Sequence, residues 1–133
     1  MSENGVPQFG GGYCNLDYLL QNLGRKEEAA IRLVRLFLEN YPGLLERMMF
    51  ALQAHDHVAL KNALHDIRSS CVLFSGHRCV ELARRFEESL REHPTNGDAA
   101  LLSKKWEAMA AGLCSCLEAM ATEMKGYLAR VAE

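Results

Sequence analysis

The segment Leu60-Lys61-Asn62-Ala63-Leu64-His65-Asp66-Ile67-Arg68-Ser69-Ser70-Cys71-Val72-Leu73-Phe74 decides the fold of this 133-residue chain. Leu60, Leu64, Ile67, Cys71 and Phe74 advance by four, three, four and three, the pattern of one buried stripe on an α-helix. With Leu60 at zero and about 100° per residue, these five fall within about 40° of the stripe centre. On the same wheel Arg68 lies about 80° away, Lys61 about 100°, Val72 about 120°, His65 about 140° and Ser69 about 180°. The segment buries one side and turns His65 toward solvent, with a cation near it on either side. Asp56 is suited to cap the start of this helix, which is predicted to run to about Phe74, and Gly76 to end it.

The same period continues in both directions. Downstream, His77 to Glu92 carries Val80, Ala83, Phe86 and Leu90 inward, and His93-Pro94-Thr95-Asn96-Gly97 reads as a turn. A last helix, from about Asp98 to Val131, has the longest stripe: Leu102, Trp106, Met109, Leu113, Cys116, Met120, Met124 and Tyr127. Upstream, a helix is predicted from Lys26 or Glu27, whose stripe is Ala30, Val34, Phe37, Tyr41, Leu44, Met48 and Leu52. Pro42 interrupts its backbone hydrogen bonding, but the stripe keeps its phase, which predicts a kink rather than a break. A short first helix is capped by Asn15, carries Leu16, Leu19, Leu20 and Leu23, and stops at Gly24. Residues 1–12, with Gly5, Gly10, Gly11 and Gly12, read as a flexible tail.

No segment alternates with period two, so no sheet is predicted. Helices with one apolar stripe each and short connections pack as an up-and-down bundle. The predicted fold class is all-α: a four-helix bundle over residues 13–133 with an additional short N-terminal helix.

Composition narrows the functions open to such a bundle. Apolar residues make up 49% and charged residues 24% of the chain, and the net charge of −2 gives no footprint for nucleic acid. No apolar run approaches the about 18–20 residues that span a bilayer, and the N-terminus lacks a signal-peptide core. A cytoplasmic location is expected. Five cysteines, an odd number without a framework spacing, fit a reducing compartment. Cys114 and Cys116, two apart on a helix, point to nearly opposite faces, while His55 and His57 lack two further ligands, so no metal site is expected. His77 and His93 lie at loop ends. No Gly-rich ATP loop is present, and no serine or cysteine nucleophile is paired with a base, which argues against a kinase or a hydrolase.

His65 remains as the candidate for chemistry. An imidazole nitrogen attacks a phosphoryl group when it is neutral and reachable, which favours an exposed helix face. Lys61 and Arg68, at i−4 and i+3, are placed to offset phosphoryl charge. Ser69 is small enough to leave the surface beside the ring open, and Val72 offers an apolar spot to a partner.

The stretch Ala63-Leu64-His65-Asp66-Ile67-Arg68-Ser69-Ser70, with Gly76 and Leu82-Ala83-Arg84-Arg85-Phe86-Glu87, resembles the histidine-containing phosphotransfer (HPt) domains of two-component signalling. Phe37-Leu38-Glu39-Asn40-Tyr41-Pro42-Gly43-Leu44-Leu45 and Leu60-Lys61-Asn62-Ala63-Leu64 are similar to the family's preceding segments, so the likeness spans roughly residues 14 to 130. Three positions depart from the family pattern. Arg68 stands where lysine is usual, exchanging a compact ammonium for a planar fork. Ser69 stands where glycine is usual, and Gly76 lies eleven rather than ten positions after His65.

The resemblance implies a phosphorelay intermediate. His65 would accept a phosphoryl group from the phospho-aspartate of a hybrid sensor kinase's receiver domain and pass it to a response regulator. Arg68, Ser69, Lys61 and Val72 would form the phosphoryl- and partner-binding surface. Mg²⁺ would belong to the receiver, so this chain would need no cofactor, and a single site on a closed bundle requires only a monomer. Such a chain is a carrier rather than an enzyme. The alternative is a helical docking module that binds a receiver or another signalling partner without carrying phosphate.

Overall fold

The computed structural model describes residues 12–92 and 99–131, with the side chains of residues 99–102 left undescribed. The expected tail, Gly12 apart, and the expected turn at residues 93–97 lie outside the described residues, as does the side chain of Leu102. Five helices follow in order: α1 (Leu16–Asn22), α2 (Glu27–Gln53), α3 (His57–Val72), α4 (His77–Glu92) and α5 (Ala99–Val131). Among the described residues there is no strand. Helix α3 packs on α2 and α4, α5 packs on the same two, and α1 lies against α2. The fold is thus an all-α, up-and-down four-helix bundle with a short helix added at its N-terminal end.

Local chemistry accounts for the boundaries. The Asn15 side chain accepts from the Tyr18 N–H at 2.9 Å, and the Asp56 side chain accepts from the Ala59 N–H at 3.0 Å, each satisfying an otherwise orphaned amide. Gly24 and Arg25 both adopt positive φ, 66° and 62°, and the Arg25 N–H closes on the Leu20 carbonyl at 2.8 Å. Helix α2 runs without interruption through Pro42, so the in-phase stripe outweighs the lost hydrogen bond.

The end of α3 corrects the sequence expectation. The helix stops at Val72 rather than Phe74, and the left-handed residue is Ser75, at φ 57°, not Gly76. Gly76 is small for a different reason. A Cβ on it would lie 2.7 Å from the Met120 Sδ and 3.3 Å from the Cys71 carbonyl oxygen. Glycine there lets α5 approach the α3–α4 turn.

The core is continuous through the bundle. Leu60, Leu64, Ile67 and Cys71 of α3 and Phe74 just beyond it are buried, joined by Ala63, which the stripe omitted. From α5 come Trp106, Leu113, Cys116, Met120, Met124 and Tyr127, and from α4 Cys79, Ala83, Phe86 and Leu90, whereas Val80 is only partly buried. Ser89, a buried polar residue, accepts from the Trp106 indole N–H at 2.9 Å and so costs little to bury. No helix among the described residues is long and apolar enough to cross a membrane.

Candidate functional site

Because α3 buries the face that carries Leu64 and Ile67, His65 is exposed on its opposite side. Lys61 and Ser69 are exposed on the same outward face, and Val72 is 60% exposed. The cation in contact with the imidazole is Arg68, whose Nη2 lies 3.2 Å from the His65 Nδ1. A guanidinium only donates, so Nδ1 accepts, and in the neutral ring the proton sits on Nε2.

Arg68 does not hang free in solvent. Its Nε donates to the Glu87 Oε2 at 2.8 Å and its Nη2 to the Glu87 Oε1 at 3.3 Å, a two-point clamp from α4. The side chains are 34% and 12% exposed, so this pair is more sheltered than an ordinary surface ion pair. A planar fork suits such an arrangement because one edge meets the carboxylate while the Nη2 corner also reaches the ring. On the other flank, Arg47 of α2 donates to the Asp66 Oδ2 at 2.9 Å, with both side chains about half exposed. The imidazole therefore stands between two cross-helix ion pairs, one of which touches it.

Each sequence-predicted site residue is on the outward face. Arg68 and His65 are brought into contact, while Lys61, Ser69 and Val72 surround them without a direct bond to the ring among the described contacts. Glu87 is the residue that sequence reasoning did not assign a role. Its signal was present but weak: it directly follows the core residue Phe86, about 100° round the helix, and so borders the buried face of α4. An acidic residue at that border, on the helix next to the one that carries Arg68, is a candidate partner for the guanidinium.

The sequence model of the Hpt domain family matches residues 32–130. The chain belongs to the Hpt domain family. The matched stretch begins within α2 and takes in the whole of α3 and α4, so His65, Arg68 and Glu87 all lie inside it. Among solved structures the chain is similar to the crystal structure of the HPT domain from a sensor hybrid histidine kinase of Shewanella. The two share 18% identity over 89% of this chain and 95% of that one, with a TM-score of 0.68. At that identity the likeness speaks to the fold. No curated protein matches the chain. Membership implies a role in phosphorelay signalling, with receiver-type partners, within a family of phosphotransfer carriers.

Proposed function

We propose that this protein is a phosphorelay intermediate that takes a phosphoryl group onto His65 from a receiver's phospho-aspartate and yields it to a response regulator. The observation that carries this reading is an exposed imidazole in contact with a clamped guanidinium. In the transfer, a bond forms between a ring nitrogen of His65 and phosphorus as the aspartyl oxygen–phosphorus bond breaks. The attacking nitrogen must carry its lone pair while the other nitrogen keeps the ring proton.

In the arrangement seen, the lone pair on Nδ1 is engaged by Arg68. Arg68 therefore has to leave the ring as the phosphoryl group arrives, and its natural new acceptors are the phosphoryl oxygens. Glu87 keeps hold of the guanidinium during that exchange, so the charge is already in place when the transition state needs it. Lys61 supplies a second, looser cation. Val72 and the open surface beside Ser69 form the contact area for the partner. Phosphoryl transfer depends mainly on positioning and charge neutralisation, and the receiver would bring Mg²⁺.

A second reading, a docking module that carries no phosphate, draws on Ser69 standing where the family pattern has glycine. One experiment separates the two. The protein is mixed with a radiolabelled phospho-receiver domain and Mg²⁺ beside a His65→Gln control. Acid-labile, base-stable label on this chain, absent from the control, is the expected result. Binding without transfer from several receivers would establish the docking module instead.

A further inference from the structure

Away from His65, at the packing of α4 on α5, lies an arrangement that phosphoryl transfer does not use. The Sγ atoms of Cys79 and Cys116 are 2.7 Å apart, with all five cysteines free. Their side chains belong to two helices that pack directly on one another. A disulfide bond is about 2.05 Å long, so the sulfurs need to close by only about 0.7 Å to be joined. Among the described residues no group of three or more His, Cys, Asp or Glu side chains could hold a metal ion, so chelation does not account for the pair.

The two thiols differ in access. Cys79 is fully buried, whereas Cys116, 6% exposed, lines an open cleft together with Tyr13, His77, Arg78, Arg85 and Ser115. Arg78 is held at this cleft by its guanidinium stacking 4.8 Å above the Tyr13 ring. Cys116 is therefore the residue of the pair that borders the cleft, and Cys79 is not among the cleft residues.

We propose that Cys79 and Cys116 are a dithiol modification site that hydrogen peroxide converts into an internal disulfide, stapling α4 to α5. Cys116 loses its proton to water in the cleft, and its sulfur attacks one peroxide oxygen. The oxygen–oxygen bond breaks, and the departing hydroxide takes up a proton to become water, leaving a sulfenic acid on Cys116. Cys79 then gives up its proton and attacks that sulfur. The sulfur–sulfur bond forms, the sulfur–oxygen bond breaks, and hydroxide leaves and is protonated to a second water. Two thiols lose two electrons in total, and one hydrogen peroxide is reduced.

The surroundings set the order and the pace. Burial, followed by the Cys79 contact, pushes the Cys116 thiol up to about 12, while Arg78 pulls it down. Cys79 is also raised, first by hydrogen bonding with Cys71 and then by burial. Cys116 borders the cleft and so meets the oxidant first, and with both thiols raised the thiolate is scarce at neutral pH. The site is a slow one, unlike the electropositive cysteines of rapid sensors. Cys14 is a poorer competitor, since its Sγ lies 3.4 Å from the Glu123 carboxylate and its thiol is raised by burial and that charge.

The test treats the full chain with hydrogen peroxide across a pH series, blocks remaining thiols, and follows intact mass and peptide maps. The expected product is lighter by two hydrogens, carries one cross-link joining the Cys79 and Cys116 peptides, and reverts with dithiothreitol. Its formation should quicken about tenfold per pH unit from 7 to 9, as the thiolate fraction does. The oxidised protein should melt several degrees higher, because the cross-link restricts the unfolded chain. Cys116→Ser should abolish the cross-link. A link that maps to Cys71 or Cys14, or a Cys116 that stays reduced or proceeds to sulfinic acid without linking, overturns the proposal, and the wild-type peptide map decides this even if the variant folds poorly.

Discussion

Replacing Glu87 with glutamine tests whether the clamp on Arg68 matters to phosphoryl transfer. The substitution keeps a side-chain oxygen that can accept one guanidinium N–H but removes the charge and the second acceptor. An exposed ion pair is worth about 0–1 kcal/mol, and breaking a buried one costs about 3–5 kcal/mol. With side chains 34% and 12% exposed, Arg68–Glu87 lies between these limits. Because one hydrogen bond survives, Glu87→Gln should destabilise the fold by about 1–2 kcal/mol, or about 3–8 °C in Tm. Its effect on transfer has another origin. An unclamped Arg68 has to be ordered at the moment of transfer, at a cost of about 0.5–1.5 kcal/mol for so flexible a side chain. That corresponds to a slowing of about 2–12-fold. Single-turnover transfer from a phospho-receiver, measured for wild type, Glu87→Gln, Arg68→Ala and the double variant, isolates the pathway. Glu87→Gln should slow the wild type yet change nothing once Arg68 is alanine. Equal slowing in both backgrounds would refute the clamp, because Glu87 would then act on transfer by a route independent of Arg68.

Four further outcomes are expected. Gly76→Ala should destabilise the fold by about 1–3 kcal/mol in chemical denaturation, since the new Cβ meets the buried Met120 thioether and the Cys71 carbonyl, whereas Ser75→Gly should stabilise it by about 0.5–1 kcal/mol by relieving a left-handed serine. Side-chain hydrogen bonds from Arg84, then Arg85, hold the exposed Glu81 carboxyl down at about 2, so this pairing contributes its stability fully above the ordinary carboxylate value and loses it as pH falls through about 2; NMR titration should show the low midpoint rising with added salt. Ser69→Gly should leave transfer at His65 unchanged or faster while costing about 0.5 kcal/mol of helix stability, and a clear slowing would mean that the Ser69 hydroxyl makes a useful contact with the partner.

Much of the bundle was legible in the chain because helical structure declares itself locally. The starts at Asn15 and Asp56, the stop at Gly24, and the span from His77 to Glu92 follow from caps, glycine and a period of 3.6 residues. The exposure of His65 was legible for the same reason, since it follows from which α3 residues are apolar. Pro42 was readable because the stripe on either side of it stays in phase. The end of α3 was not. Gly76 looked like a left-handed stop, but that role falls to Ser75, and the need for glycine comes from Met120, more than forty positions away in the chain.

The candidate site divides along the same line. The sequence by itself determined that His65 faces outward with Arg68 close by, because residues three apart on a helix must be neighbours. Only the tertiary structure decided that Glu87 would grip Arg68, that Arg47 would pair with Asp66, and that the Cys79 and Cys116 sulfurs would meet. Those pairs join different helices, so they depend on how far one helix slides and turns against the next. That register is set by the packing of Phe86, Ile67, Met120 and their neighbours together, and no single helix's period contains it.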